Sequence, residues 1–174
     1  MTNVSVDHLG QDGIETVAEL AEAKSIVFRA MGQNSHAIIN LDNSYMKEKF
    51  DSLTCNKIII TQNPNDHDME YYLSTSDYAC IVENGKFVWI EKDNKIELLG
   101  IVDAPLIIKG FAKHSIENVM IAITLSFKLG ISFDVISQSL RSYKHDTKAN
   151  RGRANILSGI IKWQCLIMLI MKLA

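Results

Sequence analysis

Two short runs, His36-Ala-Ile-Ile-Asn40 and Lys57-Ile-Ile-Ile-Thr61, carry apolar residues without alternation. A strand with apolar side chains on both faces needs cover on both faces, which is the situation of a sheet sandwiched between helices. The surrounding sequence supplies helices. Thr16 with Glu19 three residues on is a capping-box pattern, and Val17, Leu20, Ala21, Val27 and Phe28 follow at helical spacing, so a helix is expected over about 16–30. Ser44 to Leu53 reads as a second helix. Helices alternating with buried strands predict an α/β domain with a mainly parallel sheet flanked by helices.

Farther on, residues 79–102 alternate apolar and polar side chains around Asn84-Gly85 and again around Asp93-Asn94. That chemistry predicts tight hairpin turns and a small antiparallel hairpin subregion. Ile116, Val119, Met120, Ile123 and Phe127 then mark one face of a helix stopping at Gly130. Ser132 is placed to cap a last helix, with the stripe Phe133, Ile136, Leu140 and Tyr143. The long polar stretch 142–155 reads as a boundary loop.

Charge narrows the function. With a formal net charge of −2 and 22% charged residues, the chain has no basic run interleaved with aromatics, so no nucleic-acid partner is expected. Cys55, Cys80 and Cys165 lack CxxC spacing, which suits reduced thiols and a cytoplasmic location. No signal peptide is expected, since residues 2–12 are polar. The apolar stretch between Lys162 and Lys172 is about half of the roughly 20 residues a membrane span needs, so no membrane partner is expected.

Two residues near the start could carry chemistry. His8 follows Asp7 at an expected strand end, where a hydrogen-bonded turn histidine is the plain reading. Lys24 falls within the apolar stripe of its helix, at spacing 17, 20, 24, 27. Its stem can pack while the ammonium reaches water. Alternatively the amine loses its proton by burial and is modified.

Together, "TNVSVDHLGQDGIETVAELAEAKS" resembles a segment of the Mur ligase superfamily that runs from a Thr-Asn-x-x-x-Asp-His strand end into a helix bearing a special lysine. The Leu-Gly after Asp-His, and "DGIET", look most like the Mur-ligase half of the cyanophycin synthetases. "HAIINLDN" is similar to the family's Asn-Ala-Asp-Asp strand end, "SIENVMIA" to its Asn-x-x-Asn-x-x-x-Ala helix start, and "NRGRANI" to its Pro-Gly-Arg linker. The resemblance implies a magnesium site with His8 as ligand and Lys24 as a carbamate, whose oxygens suit a hard cation. It implies ATP contacts from Asn118 and Arg153. Asn40 and Asp42 match the Asn-Ala-Asp-Asp block, as turn-fixing residues rather than ligand contacts.

The implied activity is ATP-dependent amide-bond formation through an acyl phosphate, with ATP and an amino acid or polymer as partners. In the cyanophycin branch, arginine is joined to aspartate side chains. Homo-oligomerisation is an open expectation for a full-length enzyme. Ser115, Asn43 and Arg151 depart from the family pattern, and no Gly-x-x-x-x-Gly-Lys-Thr phosphate loop occurs in the 174 residues. Residues 1–155 are therefore expected to be a partial central ATP-binding domain, inactive alone. Residues 156–174 are expected to be a frameshifted tail, because codons for Leu157 to Ala174 can be chosen so that a neighbouring frame restores the family's Asp-Tyr-Ala-His-Asn. Other readings are a peptidoglycan-precursor or folylpolyglutamate ligase, or a noncatalytic nucleotide-binding module completed by a second chain.

Overall fold

Helix α1, Val17–Arg29, starts where its capping box sits: the Glu19 amide donates to Thr16 Oγ1 at 3.2 Å, and the Thr16 amide donates to Glu19 Oε2 at 2.9 Å. The computed structural model describes Val4, Val6, Gly10 and residues 13–107 and 113–143. After α1 come strand β1, His36–Asn40, helix α2, Ser44–Lys49, and strand β2, Asn56–Thr61. Helix α3, Met69–Ser74, leads into β3, Tyr78–Glu83, β4, Lys86–Glu91, and β5, Asn94–Gly100. Helices α4, Lys113–Lys128, and α5, Phe133–Ser142, complete the order.

The strands form one five-stranded sheet in the order β1-β2-β3-β4-β5. β1, β2 and β3 are parallel, while β4 and β5 add antiparallel. The α/β class and the flanking helices are as expected. The sheet is mixed, with its pairings divided equally between the two senses, because the hairpin strands extend the parallel sheet along the edge of β3.

Side-chain alternation explains the unbroken apolar runs. Ala37, Ile39, Ile59, Ala79 and Ile81 enter one core with Met46, Phe50, Met69 and Tyr72, on the side of α2 and α3. Ile58, Ile60, Cys80, Phe87 and Trp89 point to the other face, against Ile116, Val119, Met120 and Ile123 of α4 and Ile136 of α5. Ile58, Ile59 and Ile60 are all fully buried because each face of β2 is covered. Burial pushes the Cys80 thiol well above the ordinary range, which leaves it an inert core residue.

Local departures have local causes. Asn84 and Gly85 both take positive φ, 51° and 72°, as a two-residue hairpin turn of type I′ requires. The second turn lies one residue earlier than expected. Glu91 pairs with Asn94, so the loop is Lys92-Asp93, with Lys92 at φ 52°. Ser132 stands at the N-cap of α5 without a side-chain cap bond. Val27, placed in the apolar stripe of α1, is 52% exposed, and the helix buries Leu20, Ala21 and Ser25 instead. Helix α3 was not anticipated, and α2, read as a helix over Ser44 to Leu53, ends at Lys49 with a 3-10 turn over Phe50–Ser52. The boundary loop beyond Tyr143 and the expected tail lie outside the described residues.

His36, at the start of β1, gives a pH-dependent term. Burial first, and then the nearby Lys128 ammonium, hold its imidazole below the ordinary histidine range, against a smaller opposing pull from Asp77. The unfolded chain then takes the proton more readily than the folded one. Stability is expected to fall as pH drops through the ordinary histidine value, about 6.5, and to level off below the folded value. Urea unfolding above and below that pH should show the loss, and His36→Gln should flatten it; an unchanged slope in the variant rules His36 out as the source.

Candidate functional site

The carboxyl ends of β1 and β2 lie side by side, with Asn40 in register with Ile60. Asn40 is 1% exposed, and its Oδ1 accepts from the Asp42 amide at 3.0 Å, closing a tight turn after the strand. The Asp42 carboxylate reaches across to the end of β2. Its Oδ1 accepts from Thr61 Oγ1 at 2.6 Å and Asn63 Nδ2 at 2.8 Å, and its Oδ2 accepts from the Gln62 amide at 2.7 Å. Thr61 Oγ1 in turn accepts from the Asn63 amide at 2.9 Å. Asp42 thus locks two strand ends together.

Asn43 extends the lock to the amino-terminal segment. Its Oδ1 accepts from the Met46 amide at 3.2 Å, capping α2, while its Nδ2 donates to the Val4 carbonyl at 2.8 Å. Val4 is 4% exposed and packs with Leu20 and Ala21 of α1, beside half-buried Ile14, Val17 and Tyr45. The segment is held again at Gly10, whose amide donates to the Ile14 carbonyl at 2.8 Å.

Lys24 lies on α1 one turn beyond Leu20 and Ala21, half-buried, with no ion pair or hydrogen bond among the described residues. Its helix therefore packs against Val4, four residues before His8. Asn118 is exposed on α4, on the opposite face of the sheet from α1. His8 and Arg153 lie outside the described residues.

Two other groupings went unremarked in the sequence. Asp66, His67 and Asp68 cluster in the loop before α3, but the Lys47 ammonium already sits 2.8 Å from Asp66 Oδ2. Its hydrogen bond, followed by one from the Asp68 amide, holds the Asp66 carboxyl below the usual carboxylate range. A cleft of about 340 Å³ opens between α1 and the approach to β2, lined by Glu22, Arg29, Lys49, Thr54 and Cys55 among others. It lies at the amino end of β2, away from the Asp42 lock, and Glu22 is paired there with both Lys49 and Arg29.

The chain is thus a layered α/β domain with polar side chains gathered beyond the carboxyl ends of its first two parallel strands, the edge at which ligands commonly bind in open α/β sheets. Residues 1–126 match the Mur ligase middle domain, and the chain belongs to that family. It is 24% identical to a cyanophycin synthetase from Crocosphaera subtropica and 26% identical to one from Trichormus variabilis, each over 156 residues. Those matches cover 90% of this chain and 18% and 17% of the relatives, so the chain spans less than a fifth of their length. A UDP-N-acetylmuramoylalanine–D-glutamate ligase from Desulfitobacterium hafniense is 27% identical over 144 residues, 83% of this chain and 28% of that protein.

Among the described residues, no helix is long and apolar enough to cross a membrane.

Proposed function

We propose that this chain is part of the ATP-binding middle domain of a carboxylate–amine ligase of the cyanophycin synthetase type, with His8 and Lys24 holding magnesium and Asn118 and Arg153 holding ATP. The observation that carries the reading is the similarity to cyanophycin synthetases across 90% of the chain. The arrangement is compatible with the metal pair: the segment leading to His8 and the helix bearing Lys24 pack on each other through Val4, Leu20 and Ala21. Lys24 has no carboxylate partner among the described residues, as suits an amine free to be modified.

In such a ligase a carboxylate oxygen attacks the γ-phosphorus of ATP, giving an acyl phosphate and releasing ADP. An amine then forms the C–N bond, phosphate leaves, and the amine gives up a proton. Magnesium would offset the charge developing on the transferred phosphoryl group. The Lys24 amine, once neutral, adds carbon dioxide and loses a proton to become a carbamate, which replaces a cation by an anionic oxygen donor. His8 offers a neutral imidazole nitrogen. The Asn118 amide can donate to and accept from a base edge, and the Arg153 guanidinium can donate to nucleotide oxygens. With no phosphate loop in its 174 residues, the chain by itself should not turn over ATP.

Carbon-13 bicarbonate labelling tests the Lys24 assignment directly. One carbamate carbonyl resonance is expected in the wild-type chain with magnesium present, and none in Lys24→Arg. A spectrum without that resonance, or one in which it survives the substitution, removes Lys24 from the metal site. The 25–27% identity to UDP-N-acetylmuramoylalanine–D-glutamate ligases favours a peptidoglycan-type ligase as the second reading. Sequencing the locus on both sides separates the two: an ATP-grasp coding region upstream of a phosphate loop selects the cyanophycin type. A shifted frame encoding Asp-Tyr-Ala-His-Asn after Ile156 would support the frameshift.

A further inference from the structure

We propose that the cleft between α1 and the approach to β2 binds a small organic monocarboxylate, its anionic head at Arg29 and Lys49 and its apolar body against Phe28, Met31 and Leu53. The proposal stands independently of the ligase reading. This cleft is at the amino end of β2, whereas the Asp42 lock lies beyond the carboxyl ends of β1 and β2.

Three features of the lining select that chemistry. Phe28, Met31 and Leu53 are half-buried, packed against the core on the side of α2 and α3, and they also line the cleft. Such a surface favours an apolar body. Among the charged lining residues, Glu22 Oε2 lies 2.7 Å from Lys49 Nζ, and Glu22 Oε1 accepts from Arg29. These three side chains sum to one positive charge, which a monoanion balances and a doubly charged phosphate does not. They are between 34% and 66% exposed, so an incoming carboxylate can share or replace such loose pairs. Glu22 thus occupies the cations as an internal competitor.

The third feature is a set of donors without acceptors. Among the described residues, the Thr54 hydroxyl and the backbone amides of Thr54 and Cys55 make no hydrogen bond. Both residues line the cleft, and a carboxylate brings two oxygens able to accept from several donors at once. The volume, about 340 Å³, is at the lower end for small-molecule sites, which limits the body to roughly one ring or a short aliphatic chain.

Benzoate is the probe, titrated into the full chain at constant ionic strength and followed by backbone amide chemical shifts. The Thr54 and Cys55 resonances should move saturably. Neutral benzamide, of the same shape, should need a concentration about two- to fivefold higher, the range that one exposed ion pair supports. Lys49→Gln should raise the half-saturating benzoate concentration by the same factor. Glu22→Gln should lower it, because the internal competitor is gone. Opposite signs from two neighbouring substitutions are not what a general loss of structure produces.

No saturable shift with benzoate overturns the proposal. So does benzamide matching benzoate, or Glu22→Gln leaving benzoate binding unchanged or weaker. Acetate and inorganic phosphate are the controls: if either moves the same resonances at the same concentrations as benzoate, the cleft takes an adventitious ion only, and the proposal falls.

Discussion

Replacing Trp89 by alanine should lower unfolding free energy by about 3–5 kcal/mol, the range for deleting a buried aromatic side chain. Trp89 is fully buried on β4 and is the largest such side chain among the described residues. Its ring centroid lies 4.5 Å from that of Phe127, 5.4 Å from Tyr78 and 5.5 Å from Phe133. Phe127 and Phe133 stack on each other at 4.8 Å, so one cluster joins the sheet to α4 and α5. Removing its centre would leave a cavity that these rings cannot fill without leaving their own contacts. The indole Nε1 has no hydrogen-bond partner among the described residues. Trp89→Phe therefore loses volume but also removes a buried donor, and should cost about 1–2 kcal/mol. Urea denaturation followed by far-ultraviolet circular dichroism checks both; equal losses in the two variants would mean that the ring cluster is not what holds the helices down.

Asp42→Ala is expected to be the next most damaging change, at about 2–4 kcal/mol, because the carboxylate accepts from three donors at the end of β2. One of them, the Thr61 hydroxyl, belongs to a residue only 1% exposed, so water cannot readily replace the lost acceptor. Asp42→Asn keeps one oxygen but turns an NH2 group toward a donor, and should recover only part of the loss. Thermal unfolding measures the global cost. Hydrogen exchange at Gln62 and Asn63 reports the local one, and should rise in both variants; protection of those amides in Asp42→Ala would show that the turn is held by something else.

The Thr16–Glu19 capping box was legible because both partners lie within one turn. The stripe on α4 was legible for the same reason, and Ile116, Val119, Met120 and Ile123 are all buried as its spacing predicts. Asn84-Gly85 announced its turn through two residue types that readily take positive φ. Lys92 did not: it adopts φ 52° because the Glu91–Asn94 pairing leaves a two-residue loop, a demand of register that overrides local preference. Val27 misled for a related reason. Its spacing fits the stripe, yet the surface that α1 meets is set by Val4 and α2, and those rotate the buried side toward Ser25.

For the candidate site, Lys24 drew notice as a cation inside an apolar stripe, and the structure finds it half-buried on the helix that grips the amino-terminal segment. Asn43 drew notice only as a departure from the family's Asn-Ala-Asp-Asp pattern, and nothing local marked its bond to the Val4 carbonyl.

The sequence alone determined the layered α/β character, since isoleucine runs and helical stripes are local patterns whose apolar faces can be buried in few ways. The tertiary structure alone decided that Asp42 binds residues 19 to 21 positions away, and that Asn43 binds Val4 across 39. Hydrogen bonds between distant residues depend on strand order and register, and no local period encodes either.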